Sequence, residues 1–149
     1  MTEIREMKIS DYENVKELWL TIKGFAMRSL DDSREGVERF IERNPGLSTV
    51  AVDDGLVVGA ILCGHDGRRA TLYHVCVRES FRKRGIGRAM VVRCMEQLEK
   101  AGINKVALIA FTSNDVGNAF WNRIGWTKRE DLNYYDFTLN KENIVRFNA

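Results

Sequence analysis

The residues best placed to do chemistry form one run, Arg82-Lys83-Arg84-Gly85-Ile86-Gly87-Arg88. Its two glycines let the backbone approach a ligand closely and take dihedral angles that other residues avoid. A helix that starts inside such a run contributes unpaired N–H groups and a partial positive charge. Together these features make a cradle for an anion, phosphate above all. Basic side chains at Arg78, Arg82, Lys83, Arg84 and Arg88 surround a single acid, Glu79, although the whole chain carries a net charge of only +2. No Gly-Lys-Ser/Thr follows, so a nucleotide loop of the Mg²⁺-holding type is excluded. The dinucleotide fingerprint needs a third glycine where Met90 stands, and it belongs after the first strand of a fold, not the fourth. Taken alone, the run is either a phosphate site or a solvated basic loop at a helix entry.

Composition narrows the other chemistries. Cys63, Cys76 and Cys94 are odd in number, sit in apolar stretches and form no Cys-x-x-Cys pair. Neither a disulfide framework nor a zinc site is expected, no other metal is expected, and a reduced, cytoplasmic setting is the default. The 23 basic and 21 acidic residues nearly cancel, so no general attraction to nucleic acid or to a membrane is expected. No apolar run approaches the roughly 18 residues of a spanning helix, and Glu3, Arg5 and Glu6 interrupt any signal peptide. At 149 residues and 44% hydrophobic content, the chain fits one domain over 1–149 with a real core.

The elements that hold the basic run follow from hydrophobic period. Leu72-Tyr73-His74-Val75-Cys76-Val77 is mostly apolar on both faces, which predicts a central strand over 70–77. A helix is predicted over 86–101, ended by Gly102, and a second doubly apolar strand over 105–111. Strand, helix and strand form a β-α-β unit with parallel strands and a right-handed crossover. Upstream, a strand at 4–9 precedes a helix opened by Ser10 with Glu13 as a capping box. Val15, Leu18, Trp19 and Ile22 are that helix's buried stripe. A helix over 33–43 stops at Pro45-Gly46. Strands at 47–52 and 56–64 flank Asp53-Asp54-Gly55, a tight hairpin turn. Downstream come a helix over 115–124 and two last strands near 126–130 and 134–139. Because the remaining strands are joined by short turns, they should be antiparallel.

Arg82-x-x-Gly85-x-Gly87 after a buried strand resembles the signature of the GNAT superfamily of acyl-CoA N-acyltransferases. A second block agrees in register: Asn114, Gly117, Phe120-Trp121, Arg123 and Gly125-Trp126. The stretch from Gly64 to Val77 is similar to the small stand-alone bacterial members. The resemblance covers nearly the whole chain. It implies an α/β (α+β) fold, a mixed and mostly antiparallel seven-stranded sheet with a central parallel pair of splayed strands and helices on both faces. It implies an N-acetyltransferase that moves acetyl from acetyl-CoA to a primary amine of a small molecule or peptide, by direct attack in a ternary complex. Coenzyme A would lie between the splayed strands, with backbone groups of Val75, Cys76 and Val77 along its pantetheine arm. An N–H near Val77 would polarise the thioester carbonyl. Amides of Lys83, Arg84, Gly85, Ile86, Gly87 and Arg88 would hold the pyrophosphate, while exposed basic side chains such as Arg82 reach a phosphate. Asn114 would either bond the pantetheine or cap the next helix; Phe120 and Trp121 belong to the same cofactor-binding block. Homodimers are common in the family, so a homodimer is a further expectation.

Two positions depart from the family. Trp121 stands where a tyrosine general acid is usual, and an indole cannot serve as a proton donor near neutral pH. Ile109 stands where the branch that acetylates ribosomal protein N-termini has glutamate. Substitute catalytic groups are therefore sought in Tyr134 and Tyr135, at the end of the sheet where the acceptor enters, and in His74, which titrates in the useful range. Asp31 and Asp32 either attract a cationic amine or cap a helix. Trp19 and Phe25 are core or cleft wall. Cys76, with apolar neighbours, is expected to be inert. The departures leave a second reading open, a non-catalytic acyl-CoA-binding sensor or regulatory module on the same fold.

Overall fold

Alternation of apolar side chains builds the molecule in layers. The computed structural model describes residues 1–149. Along the chain come β1 (Thr2–Glu6), α1 (Tyr12–Thr21), β2 (Ala26–Arg28), α2 (Arg34–Arg43), β3 (Thr49–Asp53) and β4 (Leu56–His65). They are followed by β5 (Ala70–Val77), α3 (Ile86–Lys100), β6 (Val106–Ala107), α4 (Asp115–Arg123) and β7 (Val145–Phe147). The main sheet has the order β1-β3-β4-β5-β6. All its neighbours are antiparallel except β5 and β6, which run parallel.

Strand β4 serves both faces of the sheet. Val57, Ala60 and Leu62 join Val50 and Cys76 under α1 and α2, where Val15, Leu18, Trp19 and Val37 close the first core. Val58, Ile61 and Cys63 join Ala51 and Leu72 under α3 in the second. Helix α3 buries Ile86, Met90, Val91, Cys94 and Leu98, the three-and-four spacing of one helical face. Each such side chain contributes about 1.5–3 kcal/mol by leaving water. Asp54 (φ +48°) and Gly55 (φ +79°) make the expected hairpin turn between β3 and β4.

The mixed sheet, its parallel pair and the helices on both faces are as expected, but the seven strands divide five and two. Strands β2 and β7 form a separate antiparallel ribbon, fastened where Asn148 Nδ2 donates to the Trp19 and Ile22 carbonyls at 2.9 and 3.0 Å. The strands expected near 126–130 and 134–139 are not formed; this stretch has no regular structure. The strand expected over 105–111 shrinks to Val106–Ala107, and beyond it Ile109 is 65% exposed. Both corrections share one cause: the second depends on a neighbouring strand that the first would have supplied. The first helix is also opened differently. Asp11, not Ser10, accepts from the Lys8 N–H at 2.8 Å and takes two bonds from Arg5.

Candidate active site

The basic run lies between β5 and α3, as its spacing predicts. Gly85 caps α3 with φ +81°. A β-carbon there would meet nothing within 4 Å, so the left-handed backbone, not crowding, selects glycine. Lys83 also has a positive φ, +63°. The bend turns the chain so that no backbone N–H from Lys83 through Arg88 donates a hydrogen bond inside the protein. Arg82 is braced by its Nε, which donates to the Val77 carbonyl at 3.0 Å, and Arg84 lies 4.8 Å over the Phe81 ring. Arg82, Lys83, Arg84 and Arg88 are exposed and pair with no carboxylate. An orphaned row of amides in a positive field fits a pyrophosphate.

The parallel strands part where the resemblance requires. Ala70 pairs with Val106 and Thr71 with Ala107, and no pairing follows. From Leu72 to Val77, β5 is bonded on its β4 edge only, so the edge carrying Val75, Cys76 and Val77 is open toward the gap. Helix α4 faces the same region. A β-carbon on Gly87 would sit 3.3 Å from Phe120 Cε1, so helix entry and α4 are in close contact there. Trp121 packs between Phe120 and Trp126, at ring distances of 5.0 and 4.6 Å. Of the two roles left open for Asn114, the cap is realised: its Oδ1 accepts from the Gly117 N–H at 3.0 Å.

His74 occupies the irregular point of β5. Ala60 faces Cys76 and Leu62 faces Tyr73, so His74 and Val75 together oppose Ile61. This is a β-bulge, and His74 takes φ +50° within it. Such a backbone costs of the order of 1–3 kcal/mol and collects at functional sites. Trp19 and Phe25 grip the imidazole, each at 4.9 Å between ring centres. His74 Nε2–H donates to Asp32 Oδ1 at 2.8 Å. A carboxylate only accepts, so this bond fixes the tautomer and leaves Nδ1 as the basic nitrogen. Asp32 is itself buried and held, with Oδ2 accepting the Arg28 N–H at 2.7 Å. A cavity of about 550 Å³ opens beside Asp32, bounded by α1, β2 and the chain near Ile144.

Tyr134 and Tyr135 lie on the irregular stretch, 67% and 85% exposed. Neither is hydrogen-bonded to His74 or Asp32. Cys76 is buried, and burial pushes its thiol up to about 12, as its apolar neighbours suggested. Sequence reasoning missed the His74–Asp32 bond. A signal for it existed: Ser33 is the cap of α2, accepting from the Gly36 N–H, which frees the preceding carboxylate for other work.

A parted parallel pair with an amide cradle at the following helix defines an acyl-CoA-binding acetyltransferase fold, and comparison with known proteins agrees. The model of the acetyltransferase (GNAT) family matches residues 7–126, and the chain belongs to that family. It is 30% identical over 130 residues to Acetyltransferase SG1711 of Sodalis glossinidius, covering 87% of this chain and 90% of that one. It is 34% identical over 113 residues to Acetyltransferase ECA0875 of Pectobacterium atrosepticum, covering 76% and 79%. Among solved structures, the PaiA N-acetyltransferase of Thermoplasma acidophilum in complex with coenzyme A superposes with a TM-score of 0.75. It is 20% identical and the match covers 97% of this chain and 96% of that one. The aminoglycoside acetyltransferase AAC(6')-Iy with a bisubstrate analogue matches at a TM-score of 0.71 and 20% identity, over 93% and 99%. The protein is thus an acyl-CoA-dependent N-acetyltransferase, with acetyl-CoA as its co-substrate. No helix is long and apolar enough to cross a membrane.

Proposed function

We propose that His74, oriented by Asp32, is the general base of a direct acetyl transfer to a primary amine, carried out by a cytoplasmic homodimer whose chains are single catalytic domains. The observation that carries this reading is the His74–Asp32 bond at 2.8 Å on the strand whose open edge lines the parted gap. Acetyl-CoA would be held by its pyrophosphate on the amides of Lys83 to Arg88, with Arg82 and the other basic side chains around it. Its pantetheine arm would lie along Val75, Cys76 and Val77, which carries the thioester to the bulge.

A lysine-type ammonium has a pKa of about 10.4 and does not attack until it loses a proton. Nδ1 of His74 takes that proton. The amine nitrogen then bonds to the thioester carbon, the carbon–sulfur bond breaks, and coenzyme A leaves as a thiolate. The second proton of the amine, released as the amide forms, goes to the thiolate or to water. A base of this kind contributes about 10²–10⁴-fold. Trp121 plays no proton-transfer part here and serves as packing between Phe120 and Trp126.

The cavity beside Asp32 is the acceptor pocket in this reading. Its lining carries Lys16, Arg28, Arg34 and Arg146 against Glu13 and Asp32. That excess of positive charge favours an acceptor with a carboxylate or phosphate beside its amine. The test is release of free thiol from acetyl-CoA across an amine panel that includes amino acids, peptides and polyamines. Turnover is expected with anion-bearing amines, falling about 10²-fold or more in His74→Ala while coenzyme A still binds. Full activity in His74→Ala would remove the histidine from the chemistry.

A further inference from the structure

The C-terminal residues are clamped over the segment between α1 and α2 by more than the short β2–β7 ladder. Asn143 Oδ1 accepts from the Leu30 and Asp31 N–H groups at 3.0 and 3.2 Å, and its Nδ2 donates to Asp31 Oδ2 at 2.9 Å. Ser29 Oγ donates to the Glu142 carbonyl at 2.8 Å, and the Ile144 N–H donates to Ser29 Oγ at 2.8 Å. This clamp fixes one wall of the cavity of about 550 Å³ beside Asp32 and sets two arginines on it. Arg28 ends β2, and Arg146 neighbours it across the ladder, opposite Met27. Neither guanidinium pairs with a carboxylate, and neither Lys16 nor Arg34, which line the same cavity, does so. Arg28 is half-buried, yet its side chain makes one bond only, from Nη1 to the Asn143 carbonyl at 3.2 Å. Glu13 and Asp32 are the acids of the lining, so the cavity holds two positive charges in excess. Asp32 also ties this wall to the base. Its Oδ1 takes the His74 Nε2–H at 2.8 Å, while its Oδ2 accepts the backbone N–H of Arg28 at 2.7 Å.

We propose that Arg28 and Arg146 are the specificity-determining residues of the acceptor pocket, and that the acceptor is a small amine with two negative charges. An amino dicarboxylate and an amino phosphate both have that chemistry. A guanidinium fork matches either group with two parallel hydrogen bonds. A dianion cancels the excess charge of the lining, whereas a polyamine adds to it. An uncharged amine would leave the half-buried Arg28 without a counter-charge. Tyr12, Leu20, Met27 and Ile144 complete the lining, so the link between amine and anion is hydrocarbon. This assignment rests on the functional reading in that the cavity beside Asp32 is taken to receive the acceptor.

Calorimetric titration of the chain saturated with coenzyme A tests it without turnover. The probes are O-phosphoethanolamine and L-glutamate as dianions, β-alanine with one carboxylate, and cadaverine with none. At least one dianion should bind tenfold or more tighter than β-alanine and cadaverine, and the better of the two tells phosphate from carboxylate. A β-alanine or cadaverine affinity equal to that of both dianions overturns the proposal, and this comparison needs no variant to fold. Arg146→Glu should weaken the preferred dianion about 10–100-fold, and Arg146→Lys should restore most of that loss. A dianion affinity untouched by Arg146→Glu and by Arg28→Gln also overturns it. His74→Ala should still bind the dianion. Dianions that bind but are not acetylated would therefore sink the catalytic reading and leave the anion wall standing.

Discussion

Asp32 acts through His74 rather than on the substrate, and this sets what its replacement does. Asp32→Asn keeps the shape but weakens the hold on the Nε2 proton, so the ring loses its fixed tautomer. We expect kcat to fall about 10²-fold or more while the affinity for coenzyme A and the melting temperature stay close to those of the wild type. A fall in melting temperature with kcat retained would reduce Asp32 to a structural partner. Gly85 makes the opposite prediction. With φ +81°, Gly85→Ala strains the cradle by about 1–2 kcal/mol, which weakens coenzyme A about tenfold in a direct titration with kcat at saturation little changed. Cys76, with its thiol pushed up to about 12 by burial, should resist alkylation in the folded enzyme and react only after denaturation.

Helix ends carry the testable energies among the elements. Asn114 caps α4, and a β-carbon on Gly117 would fall 2.3 Å from Asn114 Nδ2. The cap and the glycine therefore act together: Asn114→Ala should cost about 1 kcal/mol, and Gly117→Ala should force the Asn114 side chain out, both read by chemical denaturation. At the entry to α1, Arg5 meets Asp11 at 2.9 and 2.8 Å. These bonds, with the Lys8 N–H, hold the Asp11 carboxyl below its usual range against the cost of its burial. In the unfolded chain that carboxyl titrates at about 3.9. The pair thus stabilises the fold fully above that value and loses its contribution as pH falls through the lower folded value. Asp11→Ala should remove about 1.5–3 kcal/mol at neutral pH and flatten the acid side of the stability curve. The β-α-β unit, its glycine loop and both helix-covered faces were legible because each is written locally, in apolar period and turn residues. Helix α1 was misread at its start because Ser10-x-x-Glu13 fits the capping pattern while the true partner of Asp11, Arg5, lies in the preceding strand. The ribbon of β2 and β7 was illegible for a stronger reason. Ala26–Arg28 and Val145–Phe147 are too short to show a period, and only tertiary contact makes them strands.

Across the whole molecule, charge is neutral on average and uneven in place. Raising ionic strength from about 0.01 to 0.15 M shortens the screening length from about 30 to 8 Å, so coenzyme A should bind several-fold more weakly at the higher value. A salt-independent affinity would take the Arg82–Arg88 field out of recognition. The irregular course of residues 126–139 could not be read from composition either, since an alternating pattern states that one face is suited to burial but not what covers it. His74 was legible as a candidate, whereas its carboxylate partner required the fold to bring α2's entry to β5. One further consequence follows from the way β4 is shared between Val57, Ala60 and Leu62 on one side and Val58, Ile61 and Cys63 on the other. Neither layer has a melting point of its own, because stripping the helices from one side lays bare the back of the strand that floors the other. Calorimetry should therefore record a single cooperative transition for both layers, and a ligand gripping the α3 side should delay the collapse of the α1 side, where the imidazole is caged.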